Sequence, residues 1–197
     1  MGEFLKKILD SLEFYILAGV LFVVVWYFVL SPRKIDGISM KPYLQNDSYV
    51  LLYKLDYLTG TPQRGDVVVF KHSPTQDYIK RVIGLPGEVI LVQNGRVYVN
   101  GARLDESEYL DSTVLTQSGA AIREGIPYTV PDNQYVLMGD NRPQSTDSRE
   151  FGAVPKEYLE GRAVAVWFPP PDMKFIRRVT YKLTETHLEN FFSTDIG

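Results

Sequence analysis

Three short stretches hold the side chains able to do covalent chemistry. The first runs Ile35-Asp36-Gly37-Ile38-Ser39-Met40-Lys41-Pro42-Tyr43-Leu44. Gly37 permits close backbone approach and Pro42 fixes a bend, so Ser39 stands on a shaped turn, either as a nucleophile or as an ordinary turn residue. The second runs from Asp77-Tyr78-Ile79-Lys80-Arg81 through Val82-Ile83-Gly84-Leu85-Pro86-Gly87 to Glu88. In an extended strand Lys80 and Arg81 point to opposite faces, each with apolar neighbours two residues away, so one cation is pushed toward an apolar surface. Only lysine can respond by giving up its proton, because arginine keeps its charge at any relevant pH. Moving an amine from about 10.4 to about 8 costs roughly 3 kcal/mol, which suits a general base; a lysine that snorkels to water bears no such cost. The third stretch, Gly139-Asp140-Asn141-Arg142-Pro143-Gln144-Ser145-Thr146-Asp147-Ser148-Arg149, is dense in short side chains that bond to backbone and predicts an ordered polar loop. Asp140, Asn141 and Asp147 miss the spacing of a calcium loop, and no metal or other cofactor is expected.

Other chemistries have fewer candidates. A Ser-His-Asp triad would draw on His72 or His187, the first in a polar Lys-His-Ser-Pro loop and the second in an amphipathic tail; both are expected to be exposed. Arg64-Gly65-Asp66 has the form of an adhesion tripeptide, which keeps a membrane-anchored binding module in view. It leads straight into Val67-Val68-Val69-Phe70, however, which suits the start of a strand better than a loop tip.

The elements that must position these residues are mostly strands. Ser48 to Leu55, Asp66 to Lys71, Tyr78 to Ile83, Glu88 to Gln93, Arg96 to Val99, Tyr135 to Met138 and Ala163 to Phe168 are short, rich in Val, Ile, Tyr and Phe, and bounded by Gly, Pro, Asn and Asp. Asn94-Gly95 and Asn100-Gly101 suit tight turns with positive φ, which makes Glu88 to Leu104 a β-meander. The polar, less periodic stretch that follows reads as part of a small inserted subdomain. With 197 residues, 45% of them apolar, the chain can bury one substantial core, and with no cysteine that core holds the fold without disulfides. A net charge of -3 leaves no broad basic surface, so nucleic acid is not an expected partner.

Before the strands lies a different signal. Phe14 to Leu30 is an uncharged, mainly apolar run of 17 residues between Glu13 and Ser31-Pro32-Arg33-Lys34. As a helix it covers roughly 25 Å, close to the ~30 Å of a bilayer core once flanking residues contribute. Tyr15, Trp26 and Tyr27 suit the two interfaces, and Pro32 obstructs cleavage as a signal peptide. Lys6 and Lys7 on one side balance Arg33 and Lys34 on the other, which leaves the orientation open. Phe4, Leu5, Ile8, Leu9 and Leu12 form a helical stripe that predicts a segment lying along the membrane surface.

Taken together, the boxes resemble those of the bacterial type I signal peptidases, membrane-bound serine-lysine proteases that remove signal peptides from exported proteins. Ser39-Met40-Lys41-Pro42 is similar to the nucleophile box, and Arg64-Gly65-Asp66-Val67-Val68-Val69-Phe70 to the strand box. Lys80 through Glu88 is similar to the general-base box, and Gly139 through Arg149 to the last, in family order. The resemblance implies a mainly β, signal-peptidase-like catalytic domain over 32–92 and 134–172, with a small inserted β subdomain at 93–133. It further implies one transmembrane helix at 13–31 after an interfacial segment at 1–12, and a C-terminal tail at 173–197. Ser39 would be the nucleophile and Lys80 the base, with Ser145 holding the lysine amine and Asp147 with Arg149 ordering the loop. Ile35, Met40, Leu44, Tyr78 and Ile79 would line pockets for small substrate side chains. The backbone N–H of Ser39 would be one oxyanion donor; some family members add a hydroxyl two residues earlier, where this chain has Gly37. Tyr43 stands where the family usually has Thr. The implied partners are signal peptides of exported preproteins and the lipid bilayer, with a monomeric catalytic domain on the extracytoplasmic side of the cell membrane. Self-cleaving repressors share the Ser-Lys chemistry but carry a helix-turn-helix region not found in this sequence.

Overall fold

Residues with branched or aromatic side chains, interrupted every few positions by turn formers, settle into short strands because such side chains pack well on a pleated surface. The computed structural model describes residues 2–55, 57, 60–73, 76–181 and 183–184, and for 3–5, 8–10, 27, 28, 183 and 184 the backbone alone. A helix α1 (Gly2–Val24) and a π-helical turn (Val25–Val29) lead into β1 (Leu30–Lys34), β2 (Tyr49–Tyr53), β3 (Val67–Ser73) and β4 (Gln76–Gly84). Then come β5 (Val89–Gln93), β6 (Arg96–Val99), β7 (Ala102–Leu104), β8 (Tyr128–Thr129) and β9 (Gln134–Met138). A short helix α2 (Ser148–Phe151) precedes β10 (Val154–Pro155), β11 (Leu159–Phe168), β12 (Lys174–Phe175) and β13 (Leu183–Thr184).

The strands form two antiparallel sheets. The larger has the order β1-β2-β11-β3-β4-β9-β10, with β12 on β11; the smaller is β13-β7-β6-β5-β8. The meander of the smaller sheet turns where its Asn-Gly pairs predict: Asn94 and Gly95 have φ of 49° and 72°, and Asn100 and Gly101 of 51° and 82°. One apolar cluster, including Met40, Leu44, Val50, Val67 and Ala163, lies under the Ser39 turn. A second, around Ile83, Ile90, Val97 and Val136, joins the two sheets.

Strand β1 is not among the expected strands, the helix being expected to run to residue 31, and it contains Pro32, which cannot donate to a ladder. It is tolerated because β1 is an edge strand, paired with β2 alone from Leu30↔Tyr53 to Lys34↔Tyr49. The chain after 172 also has a defined course: β12 pairs with β11 and β13 with β7, and Arg178 binds Asp66 at 2.7 Å. This segment therefore ties one sheet to the other; residues 185–197, including His187, lie outside the described residues.

The N-terminal helix departs from expectation in its limits. It runs without a break from Gly2, and its first half carries Lys6, Lys7, Asp10 and Glu13; its α-helical part ends at Val24, before the apolar sequence does. Among the described residues no helix is long and apolar enough to cross a membrane. The apolar run is instead shared between the end of α1, the π turn and the first residue of β1. From Phe14 to Trp26 its side chains are open, with Phe14 67% and Phe22 65% exposed. Most of the stripe expected at Phe4, Leu5, Ile8 and Leu9 falls on side chains outside the description.

Candidate active site

The nucleophile turn begins where β1 ends. Ile35 N–H donates to Ser48 O and Asp47 N–H to Ile35 O, which fixes the base of the turn, and Lys41 N–H donates to Ile38 O across its tip. Gly37 has φ +117°, open to glycine and strained for other residues, and its N–H donates to Asn46 Oδ1 at 2.7 Å. Ser39 is half-buried at the rim of a cleft of about 260 Å³, and its own N–H makes no hydrogen bond among the described residues.

Opposite stands β4. It pairs with β3 along its length but with β9 only from Arg81 onward, so the edge from Gln76 to Lys80 is left open along the cleft. Both cations of this strand are buried, Lys80 at 3% and Arg81 at 0% exposure. Arg81 holds Asp140 in a two-pronged pair at 2.9 and 2.7 Å, donates to Gly65 O, and lies against the rings of Tyr43 and Tyr109. That cation is fully matched. Among the described residues Lys80 has no carboxylate within hydrogen-bond reach; its Nζ lies 2.8 Å from Ser39 Oγ and 3.0 Å from Ile79 O. An ammonium carries three donors and finds two acceptors here, whereas a neutral amine donates to Ile79 O and turns its lone pair to Ser39. Burial accordingly lowers the Lys80 pKa to about 8, opposed by the charges of Asp147 and Asp140 and assisted by Arg149.

The loop after β9 locks both partners. Asn141 N–H donates to Ser39 O at 2.9 Å and its carboxamide to Ile38 O at 3.0 Å, so one residue clamps the nucleophile turn twice. Gly139 fills the gap behind it: a Cβ there would lie 2.5 Å from Ser39 O and 2.2 Å from Ser145 Oγ. Asp147 accepts from Gly139 N–H at 3.0 Å and from Arg149 at 2.8 Å, and caps α2. Burial works to raise the Asp147 carboxyl, but the Arg149 guanidinium and the Gly139 N–H hold it below its ordinary value. Arg142 pairs with Glu106 and Thr116, fastening the loop to the inserted segment.

Ser39 thus meets Lys80, and the Asp147–Arg149 pair lies in the loop beside them. Ile35, Tyr78 and Ile79 line the cleft, whereas Met40 and Leu44, each 1% exposed, point into the core beneath it and form no part of its lining. The turn that displays Ser39 sends the next residue inward, and Leu44, whose N–H bonds Met40 O, follows it. Ser145 is close, but its buried Oγ does not reach the lysine amine; the Asp147 carboxylate lies beside it. Asn141, considered above only for calcium, and Gly139 were not singled out. Their roles depend on contacts about a hundred residues apart in sequence, which no local signal carries. His72 is exposed and away from Ser39. A larger hollow of about 760 Å³, lined by Trp26, Leu30, Lys54 and Lys156, lies near the end of the helix, and neither Ser39 nor Lys80 lines it.

A serine hydroxyl against a buried lysine amine, in a cleft that no histidine among the described residues lines, gives the geometry of a serine-lysine pair on a mainly β scaffold. The sequence profile described as "Signal peptidase, peptidase S26" matches residues 8–168, and the chain belongs to that family. It is 40% identical over 153 residues to "Probable signal peptidase I-2" of Synechocystis sp., covering 73% of this chain and 66% of that protein. It is 32% identical over 181 residues to "Signal peptidase IB" of Staphylococcus aureus, covering 86% of this chain and 94% of that one. A crystal structure of a signal peptidase I from Enterococcus faecalis V583 is 32% identical, covers 52% of this chain and 96% of its own, and superposes with a TM-score of 0.41.

Proposed function

We propose that this protein is a membrane-anchored serine endopeptidase that removes N-terminal signal peptides from exported preproteins, cutting after small residues of the Ala-x-Ala type. The observation that carries the reading is the 2.8 Å approach of Lys80 Nζ to Ser39 Oγ in a place where the lysine is 3% exposed and has no carboxylate partner among the described residues. Neutral Lys80 takes the Ser39 proton as Oγ bonds to the scissile carbonyl carbon, and the carbonyl π electrons move onto oxygen. The unpartnered Ser39 N–H is placed to donate to that oxygen. Collapse breaks the C–N bond, and the leaving amine receives the proton from Lys80. Water, deprotonated by the same amine, then hydrolyses the ester. The Ser145 hydroxyl, buried and close to the Ser39 main chain, is available to the lysine amine as it swings between these roles. The free β4 edge offers backbone groups to an extended substrate, and Ile35, Tyr78 and Ile79 leave room for small side chains.

The bilayer reading rests on exposure. Apolar side chains open on all sides of residues 14–26 are unfavourable in water and favourable in lipid, so we place residues 13–31 in the membrane and 1–12 at its surface. Trp167, Phe168 and Phe175 are exposed on β11 and β12, as a domain resting on that membrane would have them. The catalytic domain, 32–92 with 134–172 and its insert at 93–133, would lie on the extracytoplasmic side, where exported chains emerge, and act as a monomer. Purified full-length protein in detergent, given a preprotein with Ala-x-Ala before its junction, tests this. Ser39→Ala and Lys80→Ala should each abolish cleavage, and Lys80→Arg should not rescue it. Near-normal turnover by Lys80→Ala would overturn the mechanism.

A further inference from the structure

Behind the base, β3 and β4 carry a group that this mechanism leaves unused. Their register sets Val68 opposite Lys80, Phe70 opposite Tyr78, Lys71 opposite Asp77 and Ser73 opposite Gln76, with His72 in the irregularity between the last two pairs. Along the ladder Tyr78 therefore lies between Lys80 and His72. The His72 imidazole stacks on the Tyr78 ring, with centroids 4.3 Å apart and planes 7° from parallel. Lys80 Nζ lies 4.7 Å from the centroid of that same ring. Phe151 meets His72 at 5.0 Å, and Phe70 meets Tyr78 edge-on at 5.9 Å. The His72 imidazole makes no hydrogen bond among the described residues, and its ring meets those of Tyr78 and Phe151. A groove of about 450 Å³, lined by Phe70, His72, Phe151 and Tyr158, opens on its outer side.

We propose that His72 is a positioning residue: its ring pins Tyr78 against the Lys80 amine and so limits the water that reaches it. The inference rests on the serine-lysine reading above. A half-buried tyrosine at the wall of the Ser39 cleft has room to swing, and a stacked partner removes that freedom. An amine exposed to water regains its proton more readily, so the ring's hold governs how much neutral base is present. The charged groups around Lys80 are Asp140, Asp147 and Arg149 from the loop, Arg81 and Asp77 on its own strand, and Arg33, Lys34 and Asp36 beside the cleft. None of them is altered by a change at residue 72.

The experiment is the pH profile of kcat/KM for full-length protein in detergent, acting on an Ala-x-Ala preprotein. His72→Ala should move the acid limb upward by about half a pH unit, a roughly threefold loss at neutral pH that vanishes near pH 9. His72→Gln should shift it likewise, and serves if the alanine variant folds poorly by thermal melting. His72→Phe, which keeps a flat face without a titrating nitrogen, should restore the parent profile. A profile for His72→Ala and His72→Gln that superposes on the parent overturns the proposal, as does a His72→Phe profile shifted as far as theirs. Lys80→Ala run alongside separates the two readings: if it is inactive the serine-lysine pair stands whatever His72 does, and if it is active the pair itself falls.

Discussion

A buried base that must lose its proton is a burden on the fold, and Lys80→Met should reveal its size. The lysine pKa falls from 10.5 to about 8 on burial, a change in proton affinity worth roughly 3 kcal/mol. Below pH 8 the amine is protonated in both folded and unfolded chains, and the native state bears that cost in full. Between pH 8 and 10.5 the unfolded chain binds more protons than the native one, so parent stability rises with pH; above 10.5 both are neutral and the cost is gone. Methionine fills nearly the same volume without charge, but forfeits the bonds to Ser39 Oγ and Ile79 O, together about 2 kcal/mol net. Lys80→Met should therefore be inactive yet more stable by about 1 kcal/mol at pH 7, the gain reversing by pH 10.5. Urea denaturation of the detergent-solubilised protein, followed by tryptophan fluorescence across that range, measures it. A stability difference that stays flat from pH 7 to 10.5 would refute the claim that this amine titrates out of line. So would a variant less stable than the parent at pH 7.

Two further substitutions examine the parts that hold the pair in place. Gly139→Ala puts a methyl group 2.5 Å from Ser39 O and 2.2 Å from Ser145 Oγ, so the nucleophile must shift; turnover should fall on the order of a hundredfold in the same preprotein assay, with binding of an uncleavable peptide little changed. Asp140→Asn leaves the Arg81 guanidinium buried without its counter-charge, and should destabilise the fold by roughly 3–5 kcal/mol in the same denaturation experiment; a loss under 1 kcal/mol would mean that Gly65 O and the two tyrosine rings suffice.

What the sequence could and could not say divides along the distance over which each feature is decided. Asn94-Gly95 and Asn100-Gly101 fix their own turns through local backbone preference, so the meander was legible before any contact was known. Strand β1 was hidden because Pro32 is a sound local signal against a ladder, overruled only by a place at the sheet edge. The inward turn of Met40 and Leu44 follows from where the core lies beneath the nucleophile, which alternation along one segment does not specify. The Asn141 clamp on Ile38 and Ser39 joins positions 103 residues apart in its side-chain bond and cannot be read from either end.

Lys80 and Arg81 show most clearly how residue type and placement divide the work. Neighbours on one strand, both leave water, and by composition alone their fates are interchangeable. The fold gives the arginine a carboxylate that meets its planar fork, at 2.9 and 2.7 Å, and gives the lysine a hydroxyl and a carbonyl. Exchanging the two residues would fail on both sides: a guanidinium facing Ser39 keeps its proton and cannot act as a base, and an ammonium facing Asp140 lacks the fork that meets both carboxylate oxygens. The order Lys-Arg in the sequence is therefore itself a statement about which face of β4 meets the nucleophile. It becomes readable only once the carboxylate 59 residues away has been placed on the other side.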